Sequence, residues 1–209
     1  MMDRSLFISM ADPILAVRTS EFLETFPEFQ KYRHIAPLIP PPSSGGFMPF
    51  EPWHPSGVFE HILLYISTTG VKMSYCIEQF SYIQSHLHDR SFLTWPLLQP
   101  KKRPIYVKIY EWMDLRGIQE ATLTIKQAIE MQKDIKGLGP GYVAFMKQYF
   151  TDDDDICMTT DRNFQKGFKK IYGEDATKGS FMAQKTKEYT DAGFGRIANA
   201  YVFQVFHYS

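Results

Sequence analysis

Cysteine is scarce in this 209-residue chain. Cys76 and Cys157 stand alone, with no CxxC pair between them. That excludes a zinc site or an iron–sulfur cluster built on cysteines. Two isolated thiols are read as free side chains in a reducing compartment. Long hydrophobic runs are missing too. No stretch reaches about 18 apolar residues, so no transmembrane helix is expected. The opening MMDRSLFISMADPIL carries no long apolar run and no cleavage pattern, so no secretory signal is expected. These absences together predict a soluble intracellular protein. Charge of one sign is also lacking: 23 Lys and Arg balance 23 Asp and Glu. A broad electrostatic attraction to nucleic acid is thereby disfavoured, while local patches stay open. Sustained polar–apolar alternation and two-residue hairpin signals are absent, which argues against strands. There are no internal repeats. The acidic run Asp152 to Asp155 predicts a solvent loop and no metal site, because four adjacent carboxylates cannot all point at one ion.

What is present is apolar residues at helical spacing. Aromatic content is rich at 15%. Residues 12 to 36 place Ile14, Leu15, Phe22, Phe26 and Phe29 on a helical pattern that Pro27 should break or kink. The segment PLIPPPSSGG, residues 37 to 46, reads as an irregular connector. Val58, Ile62, Tyr65 and Ile66 predict one helix, and Val71, Tyr75, Phe80, Ile83 and Leu87 a second. Three prolines break 91 to 104, with Lys101, Lys102 and Arg103 clustered before the last. A helix from Ile105 carries Ile109, Trp112 and Met113. The next runs from about Gln119 to Lys133, with Ala121, Ile125, Ala128 and Ile129 inward. A short helix covers Tyr142 to Phe150, another 161 to 172 with Asp161 as its N-cap, and a last one 195 to 207. The expected fold class is all-α.

One stretch stands out. Residues 135 to 141 read IKGLGPG, a glycine-rich turn between two helical stretches. Glycines there permit positive φ and remove side chains from the turn. The second helix then starts with unpaired N–H groups, which can bind a phosphate with help from the helix dipole. Such a contact needs no basic side chain and reads no base sequence. A plain helix–helix corner turned by glycines is the competing explanation.

Twenty positions beyond Gly141 comes Asp161, within TTDRNFQKGFKKIYG, residues 159 to 173. Hairpin plus aspartate helix resembles the helix-hairpin-helix DNA glycosylase superfamily. That family pairs a hairpin like L-P-G-I-G-x-K-T-A with V-D-T-H-V-x-R-V-x-x-R-L about twenty residues on. Ile135, Gly137, Leu138 and Gly139 match the first. Asp161, Phe164, Lys166, Phe168, Lys170 and Ile171 match the second, with lysines replacing arginines. Looser echoes lie in LLYISTTGVKMS (63 to 74), in 115 to 135 and in GRIANAYVFQVFHY (195 to 208). The resemblance spans roughly residues 55 to 209.

The resemblance implies two all-α lobes, with the helix-hairpin-helix at the cleft between them. Residues 58 to 150 would form the central lobe. Residues 1 to 57 would pack with 151 to 209 to complete the other. The implied activity is base excision repair: hydrolysis of the N-glycosidic bond of a damaged or mispaired base in double-stranded DNA. No cofactor and no metal are implied, and the chain would act as a monomer at DNA, in nucleus or cytoplasm according to host. Gly141 stands where bifunctional members carry a lysine nucleophile, so the implied type is monofunctional, without strand cleavage. Asp161 would be the catalytic residue, stabilising positive charge on the sugar and orienting the attacking water. Its competing role is that of a simple N-cap.

Gly137, Gly139, Gly141, Lys136, Lys166 and Lys170 are the candidate DNA contacts. Trp53, Tyr142 and Tyr65 are candidate walls of the pocket for the flipped base, against the ordinary role of aromatics as core. Arg162, Lys166, Lys169, Lys170, Lys178, Lys185 and Lys187 are either a backbone-binding face or a solvated one. Two departures from the family pattern matter. Ser67 stands where many members have a gap-filling Gln, and Asn163 replaces the His after the Asp. They keep open a catalytically inactive DNA-binding protein of the same fold. An unrelated helical interaction protein is the third possibility.

Overall fold

The computed structural model describes residues 13–35, 57–70, 73–151, 153–157 and 159–208. Among them every regular element is helical. The chain divides into two compact units, Met1–Ile39 with Asp153–Ser209, and Pro40–Asp152.

Among the described residues, the unit within Pro40–Asp152 starts with α2, Val58–Thr68. (α1, Pro13–Thr25, belongs to the other unit.) Phe59, His61, Ile62, Leu63, Leu64, Ile66 and Ser67 are all buried, so this helix is enclosed on most sides. The expectation of one apolar face was therefore too narrow. α3, Met73–Ser85, turns Cys76, Gln79, Phe80 and Ile83 inward. α4 runs Arg103–Leu115, with Pro104 in its first turn, where a missing N–H costs nothing. Leu123, Ala128, Met131, Ile135, Leu138, Tyr142 and Met146 join Phe92, Tyr106, Ile109 and Met113 in one core. Each fully buried large side chain there contributes about 1.5–3 kcal/mol.

α5, Ile125–Asp134, begins later than its apolar pattern suggests. Thr124 and Gln127 form a reciprocal capping box that fixes the start. Glu120–Thr122 ahead of it is a 3-10 turn, and Ala121, expected inward, is exposed. α6 is Pro140–Phe150.

The other unit uses both ends of the chain. α1, Pro13–Thr25, stops where Pro27 forces a new start, and Pro27–Tyr32 continues as a 3-10 helix. Phe22, Phe26, Phe29 and Tyr32 point inward. α7 is Arg162–Tyr172, α8 Phe181–Asp191 and α9 Gly195–Tyr208. α7 and α9 cross closely at Gly167, where an added Cβ would sit 1.9 Å from the Val202 carbonyl oxygen. Phe22 stacks on Tyr201 at 5.4 Å and meets Tyr189 edge-on at 6.4 Å. The N-terminal helix is thereby fastened to the C-terminal ones by rings.

Candidate nucleic-acid interface

The turn 135–139 joins α5 to α6 and is held from inside. Ile135 and Leu138 are buried, at 3% and 2% exposure, while Lys136 and Gly137 face outward. Leu138 N–H donates to the Ile135 carbonyl at 3.2 Å, and Tyr142 N–H to the Gly139 carbonyl at 2.9 Å. Gly137 has φ +117, which favours glycine, and a Cβ there would lie 2.7 Å from Ile105 Cδ1, so the end of that side chain would have to shift. Gly139 differs. Its φ of −85 and ψ of −174 suit any residue, and a Cβ would meet nothing within 4 Å. The fold itself does not demand glycine at that position. Among the described residues, the N–H groups of Gly137, Gly139 and Gly141 have no hydrogen-bond acceptor. Pro140 follows Gly139 as the first residue of α6 and brings no N–H of its own.

Asp161 is the N-cap of α7. One carboxylate oxygen, Oδ1, accepts from the N–H groups of Asn163 at 2.7 Å and Phe164 at 3.0 Å. The side chain is half-buried, and Oδ2 has no donor among the described residues. One oxygen therefore fixes the carboxylate and leaves the other without a protein donor among the described residues. The helix start was legible because an aspartate before NFQKGF is a strong cap signal.

The lysines expected along α7 and α8 are largely engaged within their own unit. Lys169 pairs with Glu174 at 3.1 Å, Lys178 with Asp175 at 2.5 Å, Lys185 with Glu188 at 2.7 Å and Lys187 with Asp191 at 2.5 Å. Lys170 lays its ammonium on the carbonyls of Val205 and Phe206, at 3.4 and 3.3 Å, completing the last turns of α9. That bond draws the ammonium of this candidate DNA contact onto the protein's own carbonyls. Lys166 is exposed, 5.1 Å above the Phe206 ring.

Of the three pocket candidates, Trp53 lies outside the described residues. Tyr142 is fully buried, its hydroxyl donates to the Ala128 carbonyl at 2.9 Å, and burial pushes its phenol well above the usual range. It ties α6 to α5 as a core residue and has no open ring face. Tyr65 is half-buried, with its ring against Tyr142 at 5.5 Å and Phe145 at 5.3 Å. Ser67 is wholly buried, its hydroxyl donating to the Leu63 carbonyl.

Beside Ser67 lies a group that the sequence did not single out. Lys102 is only 7% exposed and donates from Nζ to the Ser67 carbonyl at 2.9 Å. Cys76 Sγ lies 3.9 Å from the next carbonyl, that of Thr68. Together they cover the last carbonyls of α2, where a cation also opposes the helix dipole. Desolvation pulls the Lys102 ammonium down to about 8, while the same burial raises the Cys76 thiol. The only sequence trace of this was the basic cluster before Pro104.

His61 is likewise buried. Its Nδ1–H donates to the Gly57 carbonyl at 2.8 Å, and burial lowers its basicity.

The acidic run is more than a solvent loop. Asp152 lies outside the described residues, but Asp154 accepts from Arg196 N–H at 3.2 Å and so caps the start of α9. Its carbonyl approaches Gly195 so closely that a Cβ there would lie 1.8 Å away. Among the described residues, no group of three or more His, Cys, Asp or Glu is arranged to hold a metal ion. No helix among them is long and apolar enough to cross a membrane. In comparisons with known proteins, the chain matches no family model, no curated protein and no solved structure.

Proposed function

We propose that this chain is a monofunctional DNA glycosylase that hydrolyses the N-glycosidic bond of an altered or mispaired base. The observation that carries it is the turn at Gly137–Gly141. Three N–H groups of the turn lack acceptors among the described residues, and Gly139 is a glycine the fold does not need. A close-approaching phosphate accounts for both, since backbone donors at a helix start bind anions and a side chain at 139 would block them. Asp161 supplies the second half. Its capped Oδ1 holds the carboxylate still while Oδ2 faces developing positive charge on the sugar and orients water. Catalysis on this plan requires the turn and Asp161 to engage the same duplex. Gly141 offers no amine, so the product is an abasic site in an unbroken strand.

The test is a panel of duplexes carrying uracil, thymine opposite guanine, oxidised guanine or alkylated adenine, treated with alkali after incubation. At least one strand is expected to break only after alkali. Asp161→Asn is expected to lower the rate by about a hundredfold or more, with stability unchanged within about 0.5 kcal/mol, since Asn caps as well as Asp. Undiminished cleavage by the variant would remove Asp161 from catalysis. Borohydride trapping of a covalent adduct would show an amine nucleophile instead.

A second reading, DNA binding without catalysis, is favoured by Ser67 and Tyr142. Both are buried in the core, so neither fills a gap in the base stack nor walls an open base pocket. Duplex binding with no product from any member of the panel would select it.

A further inference from the structure

The glycine turn does not stand alone on its surface. Gly137 rests on Ile105, in the first turns of α4. Lys101 lies in the turn that leads into α4, four positions before Ile105, and Lys108 follows Ile105 by three within the helix, which makes Lys108 a surface neighbour of Ile105. Lys101, Lys108 and Lys136 are all exposed, and none has an ion-pair or hydrogen-bond partner among the described residues. Their basic neighbours are used elsewhere: Lys102 is buried on the Ser67 carbonyl, and Arg103 donates to the Trp95 carbonyl at 2.9 Å. Glu111, one turn beyond Lys108, is exposed and makes no pair with it among the described residues.

We propose that Lys101 and Lys108, on either side of the Ile105–Gly137 contact, form with Lys136 a docking surface for the phosphate backbone of duplex DNA. The proposal rests on the glycosylase reading and moves its main electrostatic contact. Sequence pattern left the lysines between 166 and 187 open as either a backbone-binding or a solvated face, and four of those are ion-paired while a fifth caps α9. A free ammonium neutralises a phosphate and releases a counterion, whereas a paired one must first leave its carboxylate. The three lysines around the turn carry no such cost. Backbone N–H groups of the turn would set the register on the strand. The flanking ammonium groups would supply the attraction, without reading base sequence.

The experiment is a fluorescence anisotropy titration of an end-labelled duplex with the full chain, repeated over a range of salt. Wild type is compared with Lys101→Gln/Lys108→Gln and with Arg162→Gln/Lys166→Gln. The first pair is expected to reduce the slope of log affinity against log salt by about 2, and to weaken plain and base-altered duplexes alike. Thermal midpoints should be unchanged, because the substituted side chains are exposed. If that pair keeps the wild-type slope while Arg162→Gln/Lys166→Gln loses it, the docking surface is overturned and the glycosylase reading survives. If wild type binds no duplex at low salt, both fall.

Discussion

Lys102 shows at the scale of one residue how burial turns a surface-type side chain into a structural part. Its ammonium replaces water with a single carbonyl, and desolvation wins over that one bond, drawing the group down to about 8. The consequence for stability has a definite sign. Between about pH 8 and the ordinary lysine value of 10.5, the folded chain has released a proton that the unfolded chain still holds. Unfolding then takes up a proton, so stability rises with pH across that window, by up to about 3 kcal/mol, and the gain is absent below it. The expected result is a rising difference between wild type and Lys102→Met in urea unfolding as pH goes from about 8 to about 10. Ionising tyrosines and thiols push the other way but largely cancel in the difference. A flat difference would mean that the ammonium is hydrated. Asp161 is the contrasting case at this scale. Its cap is made with N–H groups two and three residues ahead, so sequence alone could place it. Lys102 and Tyr142 depend on partners 35 and 14 residues away, and no local pattern announces those.

At the scale of elements, the glycine turn separates two kinds of glycine that look alike in IKGLGPG. Gly137 is held at positive φ against Ile105, and Gly139 is extended and open. Gly137→Ala should cost at least about 1 kcal/mol of stability, from backbone strain and from the displaced Ile105 side chain. Gly139→Ala should leave the thermal midpoint nearly unchanged, because its methyl group meets nothing within 4 Å, yet weaken the proposed duplex binding if a phosphate approaches the backbone there. Paired melting and anisotropy measurements check this. Equal melting losses in both variants, with binding intact in Gly139→Ala, would make the turn a plain helix corner. Helix existence was legible wherever apolar residues recur at helical spacing, as in α4 and α7. Boundaries were less so. α5 begins at Ile125 because the Thr124–Gln127 capping box outcompetes the apolar signal upstream. α8 is the element that periodicity failed to reveal, since its first turn has no acidic residue and its N-cap makes no side-chain bond.

For the whole molecule, the telling feature is that one unit is assembled from both ends of the chain while the other is continuous. The N-terminal contribution is concentrated in rings. Phe22 is fully buried and lies within 5.8 Å, centre to centre, of Phe26, Phe29, Phe194 and Tyr201. No cysteine pair closes this long loop, so packing alone must offset its closure entropy. Phe22→Ala removes the centre of that cluster and should cost about 3–5 kcal/mol. If each unit unfolds on its own, the loss will be local. Native-state hydrogen exchange should then show faster exchange in α1, α8 and α9, with α2, α5 and α6 keeping their wild-type protection. Equal loss of protection in α2 and α6 would instead mean that the chain unfolds as a single cooperative body. The local outcome carries a functional corollary, because Asp161 and the glycine turn lie in different units. On the proposed glycosylase reading, Phe22→Ala should then lower base excision through the unit that holds Asp161, while duplex binding at the proposed surface of Lys101, Lys108 and the turn persists.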